Sequence, residues 1–98
     1  MSVTTIYGTV SAQGNKISGS SGFSVQKQST GTYHIDFETN FSEIPAIVGS
    51  QTGFGTGQLP TDVVDFPFLQ EGYATAITGD AHRNFEDRQF SFIAIGKL

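Results

Sequence analysis

The run Phe90-Ser91-Phe92-Ile93-Ala94-Ile95-Gly96 ends two residues before the last one, so the most apolar segment of the chain lies at its carboxyl end. Phe and Ile alternating with small residues at a period of two suit a pleated, packed surface. Chain ends normally fray, so such a run is tolerated only when it is clamped inside a sheet. Directly before it comes the polar stretch Thr78-Gly79-Asp80-Ala81-His82-Arg83-Asn84-Phe85-Glu86-Asp87-Arg88, with one of the two histidines and both arginines. A rigid strand therefore carries a chemically dense loop, which is the main lead to function and points to recognition more than to catalysis.

The 98 residues suffice for one domain, burying roughly 65% of the unfolded surface, and at this size oligomerisation would add to stability. Without cysteine there are no disulfides, thiolate metal sites or cysteine nucleophiles. No apolar stretch approaches the roughly 18–20 residues of a membrane span, and the first residues lack the pattern of a secretory signal, so neither membrane insertion nor a leader is expected. With a net charge of −4 and only five Lys and Arg, the chain has no basic stripe for nucleic acid. Few charges, abundant Gly, Ser and Thr, and nine Phe describe a small all-β domain with tight turns.

Strand patterns cover residues 4–10, with a brief return at 16–18, then 22–28 and 32–37, which flank the hairpin loop Ser29-Thr30-Gly31. Further strands are expected at 46–50, 62–66, where Pro67 argues against continuation, 73–78 and 90–96. The Gly-rich stretch 51–60 reads as a long loop, and its glycines and Phe54 suit approach to a ligand or a neighbouring subunit. No heptad, repeat or helical period is present. The expectation is a small antiparallel β-sandwich of six to seven strands.

Asp80, His82, Glu86 and Asp87 have the chemistry of an oxygen-rich metal site, calcium before others, but their spacing matches no metal motif and solvation alone explains a polar loop, so no metal or cofactor is expected. His34 and Asp36 alternate on one strand, which sets them about 7 Å apart, too far for a direct hydrogen bond. No nucleophile elbow or assembled acid, base and nucleophile is present, so no enzymatic activity is expected. The glycines at 53, 55 and 57 lack the Lys-Ser/Thr ending and following helix of a phosphate loop. Asp87 and Arg88 either pair to pin the start of the last strand, or Arg88 reaches a neighbouring chain.

The order Ile35-Asp36-Phe37 and Phe41, Ile44-Pro45-Ala46-Ile47-Val48, Glu71-Gly72-Tyr73, a polar loop with His82, then the final aromatic and Ile-Ala-Ile-Gly run resembles H-type lectin-like domains of invertebrate agglutinins and slime-mould discoidins. It is also similar to the C-terminal receptor-binding domains of phage tail fibres. The resemblance covers about the last two thirds of the chain and implies a six-stranded sandwich, a parallel homotrimer and sugar sites near subunit boundaries. It implies a cell-surface glycan as partner and a secreted, virion or appendage location. In the H-type lectins an aromatic and His pair before the last strand binds N-acetylgalactosamine; here His82 is present with no Trp beside it, and no arginine matches the family's around 62–66. Asp80, His82, Arg83 and Asn84, with Phe85 or Tyr73, supply the hydroxyl partners and apolar ring that a sugar requires. Three linked weak sites would gain avidity. The alternative is a domain that trimerises or caps a fibre, with the same loops touching only neighbouring subunits.

Overall fold

A computed structural model describes residues 2–38 and 40–98. Among the described residues there are eight strands and no helix, hence none long and apolar enough to cross a membrane. The strands are β1 (Val3–Val10), β2 (Lys16–Gly19), β3 (Phe23–Ser29), β4 (Thr32–Phe37), β5 (Ala46–Gln51), β6 (Val64–Leu69), β7 (Tyr73–Thr78) and β8 (Phe90–Lys97). They form two antiparallel four-stranded sheets, β2-β1-β8-β5 and β3-β4-β7-β6, packed face to face as a sandwich. The all-β sandwich expected from the sequence is the observed fold.

The final run is held as its pattern requires. β8 lies between β1 and β5, with Ile6 opposite Ala94 on one side and Ile47 opposite Ala94 on the other. Phe90, Phe92 and Ala94 point into the core while Ile93 and Ile95 point out, the period of two expected of a strand. From the facing sheet come Phe23, Tyr33, Ile35, Phe37, Ala74 and Ala76. Phe23 meets Phe92 edge-on at 5.0 Å between ring centres, and Tyr33 tilts against Phe90 at 5.2 Å. Alanines at 74, 76 and 94 leave the volume these rings occupy, so large and small residues interdigitate.

Two differences from the sequence reading lie at sheet edges. The count rises from six or seven strands to eight because the brief return at 16–18 runs as an edge strand of its own, β2. β6 starts at Val64 and passes through Pro67 to Leu69, with a register shift between Asp65 and Phe68. Pro is accommodated there because one side of an edge strand has no ladder to donate to, and an irregular register relaxes the other.

Strand direction sorts the connections. Residues 11–15, 30–31, 52–63 and 79–89 gather at one end of a body 43 Å long and 23 Å across. Val3 pairs with Lys97 at the opposite end, so both termini lie away from these loops.

Candidate functional site

The loop between β7 and β8 is built around one carboxylate. Asp80 Oδ1 accepts the backbone N–H of His82 at 2.7 Å and of Asn84 at 3.0 Å, and its Oδ2 accepts from Asn84 Nδ2 at 3.0 Å. This is the local side-chain to backbone bonding that makes Asp a turn former. The Asp80 N–H closes the turn on the Asn84 carbonyl at 3.0 Å, and a bridge pairs Gly79 with Phe85. The geometry forces Arg83 to φ 71°, the one left-handed residue other than glycine among those described. A side chain held at such a φ stores backbone strain, which commonly marks a functional position.

Because hydrogen bonds stabilise its charged form, Asp80 is pulled down to about 2, the Asn84 side chain contributing most, then the Asn84 and His82 N–H groups. Its unfolded value is near 4, so the folded group binds its proton less readily than the unfolded one. The stabilisation is therefore complete above about pH 4 and disappears as the pH falls through about 2. An NMR titration of the Asp80 carboxyl carbon is expected to show a midpoint near 2, with the His82 and Asn84 amides losing exchange protection over the same range. A midpoint near 4 would show that the turn does not hold in solution.

Both roots of the loop are clamped. Asp87 accepts from Lys27 Nζ at 2.6 Å and from the Gly31 N–H at 2.7 Å, which holds the Asp87 carboxyl below its ordinary range, Lys27 contributing most. Arg88 Nη1 donates to Asp62 Oδ2 at 3.1 Å and Gln51 Oε1 at 3.2 Å, with side-chain exposures of 11% for Arg88 and 2% for Asp62. The guanidinium also lies 4.1 Å from the centre of the Phe54 ring. Gln51 Nε2 donates to the carbonyls of Val63 and Gly79, tying the 52–63 loop to the 79–88 loop. Asp62 stays below the ordinary carboxylate range despite burial, through the Leu59 N–H first and Arg88 after it. Its Oδ1 is buried and finds no partner among the described residues.

Asp87 and Arg88 thus do not pair with each other: adjacent in sequence, they reach opposite sheets and pin the loop from both sides. Arg88 finds its carboxylate and amide acceptors within its own chain. Phe54 in the Gly-rich loop covers it.

Between the two clamped loops lies a cleft of about 150 Å³. Val63, Ile77 and Phe85 give it apolar walls, and Asp65, Asp80, Arg83 and Asn84 supply donors and acceptors. Phe85 is 55% exposed, so one end of an aromatic ring is offered to solvent at a site otherwise rich in hydrogen-bonding groups.

Of the residues singled out in the sequence, Asp80, Arg83, Asn84 and Phe85 share this cleft. His82 sits exposed on the same loop, outside the lining. Tyr73 is elsewhere. It opens β7 while Thr78 closes it, and five extended residues separate the two by about 16 Å along the strand. Its ring instead stacks on His34, 5.3 Å between centres and 23° between planes, on the outer face of the β3-β4-β7-β6 sheet. Nor do Asp80, His82, Glu86 and Asp87 converge on a point, and among the described residues no three His, Asp or Glu side chains are placed to hold a metal ion. Val63, Asp65 and Ile77 were not legible as site residues: they lie on two other segments and reach the loop only through the β6–β7 pairing.

No family model, curated protein or solved structure matches the chain.

Proposed function

We propose that this domain is a non-enzymatic, lectin-like recognition module that binds a cell-surface glycan in the cleft between the 79–88 loop and the start of β6, working as a homotrimer. The carrying observation is the composition of that cleft. An exposed aromatic ring and two aliphatic side chains stand beside a guanidinium, an amide and two carboxylates within about 150 Å³. A sugar ring has one apolar face and a rim of hydroxyls that both donate and accept, and this set of groups answers both needs. The volume suits a single ring, below the roughly 300 Å³ at which sites for larger ligands begin.

Preorganisation supports the same reading. The Asp80 turn and the two clamped roots fix the backbone that presents Arg83 and Asn84, so little ordering entropy is lost on binding. His82, exposed on the same loop beyond the cleft, would be open to a second sugar residue. The loops open away from both termini, so a carrier joined at either one leaves the cleft facing outward, as an adhesion or receptor-binding module of a secreted protein, virion or appendage requires. Small clefts bind weakly, and three presented together gain by effective concentration.

A glycan array probed with the wild-type domain is expected to show retention. Arg83→Ala and Phe85→Ala should each reduce retention at least about tenfold, which corresponds to about 1.4 kcal/mol of binding. Both should melt near the wild-type temperature, since both side chains are exposed. Arg83→Gly adds a control, because glycine relieves the left-handed strain: it should bind as poorly as Arg83→Ala while melting at or above wild type. A clean array would leave the alternative of a trimerising or capping domain without its own ligand, and variants that bind as wild type does would overturn this cleft as the site. One observation favours that alternative, the outer face of the β2-β1-β8-β5 sheet, whose strands carry no Asp or Glu.

A further inference from the structure

We infer that copies of this chain meet through the outer face of the β2-β1-β8-β5 sheet, with β8 nearest the axis. The inference rests on the homotrimer proposed above and names the surface that would build it.

The register sets the outward side chains of this sheet in rows. Tyr7, Ile93 and Val48 lie side by side on β1, β8 and β5, and Thr5, Ile95 and Ala46 form the next row. The three aliphatic residues Val48, Ile93 and Ile95 together with Tyr7 are between 44% and 66% exposed. Two Ile side chains thus face water from one of the two central strands of the sheet, where a monomer would ordinarily place polar groups. Four strands about 4.8 Å apart and seven residues rising about 3.3 Å each give a face of roughly 440 Å² in projection, near the middle of the 300–600 Å² that monomers expose as their largest patch. Beside the Val48 and Ile93 side chains is a shallow depression of about 220 Å³ able to receive a protruding side chain.

Charge selects a second copy as the occupant. All nine Asp and Glu side chains lie in the other sheet or in the connections, none in β1, β2, β5 or β8, and the outward cation at the end of β8, Lys97, is paired with Glu43 at 3.8 Å. In a chain of net charge −4 this is the surface on which copies approach without opposing acid to acid. Two of the polar groups it carries are already partnered, while the Thr5 and Tyr7 hydroxyls are left to find partners across the interface. Thr9 Oγ1 and Ser91 Oγ share a hydrogen bond of 2.8 Å, and Thr52 Oγ1 lies 3.2 Å from the same Ser91 hydroxyl. Covering the Thr9 and Ser91 hydroxyls therefore strands neither. Three such faces turned inward make a triangular prism, with Ile93 and Ile95 along its centre and the glycan clefts of the three copies at the same end.

Light scattering of the full chain is expected to give three times the 10.5 kDa of one copy. Ile93→Lys and Ile95→Lys should each reduce this to one copy with an unchanged circular dichroism spectrum, since neither side chain is in the core. The chain has no cysteine of its own, so Ile95→Cys should cross-link between copies on oxidation, while Thr75→Cys, on the outer face of the other sheet, should not. A monomeric wild type, an unchanged mass in both lysine variants, or cross-linking through Thr75→Cys instead would overturn the inference. A two-copy mass that the lysine variants abolish would support this face as the interface and overturn the trimer. Titrating the Ile93→Lys variant with monovalent methyl glycosides reads the cleft alone, so failure of the glycan reading and failure of this interface are separately visible.

Discussion

Arg88→Met is expected to lower the melting temperature by at least about 10 °C, because it leaves Asp62 buried without its cation. The Asp62 side chain is 2% exposed, and its second oxygen already lacks a partner among the described residues. Methionine preserves the volume of the arginine stem but donates nothing to Asp62 Oδ2 or Gln51 Oε1, both now served by one guanidinium nitrogen. Arg88→Lys should fall most of the way as well, since an ammonium cannot bond both acceptors while stacking flat on Phe54. The double variant Arg88→Met with Asp62→Leu should recover much of the loss, since replacing both partners of a buried pair by apolar groups is often neutral. Thermal unfolding of the three variants checks the argument. If Arg88→Met melts within about 2 °C of wild type, the pair is not a clamp. A second readout is amide exchange, which should show the 79–88 loop opening before the sheets in Arg88→Met.

This clamp also shows where reading the chain residue by residue stops. The alternation of Phe90, Phe92 and Ala94 identifies a packed strand, because a period of two is local and β8 obeys it throughout. The same alternation does not reveal that Ile93 and Ile95 face outward into water, since both parities of the run are apolar. Asp62 and Arg88 are 26 residues apart, and nothing near either names the other. They meet because β5 and β8 are neighbours in one sheet while β6 and β7 are neighbours in the other, which brings the two long connections to one end. The Asp80 loop was legible as a dense polar segment, and four of its residues do share a cleft. Tyr73 was misplaced for a simple reason: closeness in sequence is not closeness in space along an extended strand.

Gly31→Ala is expected to cost about 2–5 kcal/mol, the sum of about 1–2 for placing a Cβ in the left-handed region and about 1–3 for overpacking. Gly31 has φ 68° and is buried at the tip of the β3–β4 hairpin. An added Cβ would lie 2.6 Å from the Thr78 carbonyl oxygen, 3.0 Å from the Glu86 nitrogen and 3.2 Å from the Glu86 oxygen. All three are backbone atoms, so no side chain can rotate aside. Two hydrogen bonds depend on the same spot: Thr78 N–H donates to the Gly31 carbonyl at 2.8 Å, and the Gly31 N–H donates to Asp87 at 2.7 Å. The hairpin tip is therefore the surface against which both roots of the 79–88 loop are set. Gly55→Ala separates the two contributions. It has a similar φ of 88° with no atom within 4 Å of the added Cβ, so it should lose only the conformational part. The expected order of melting temperatures is wild type, then Gly55→Ala, then Gly31→Ala well below both. Equal melting of the two variants would mean that the hairpin and the loop move apart at little cost, and that the cleft is not preorganised by the sandwich beneath it.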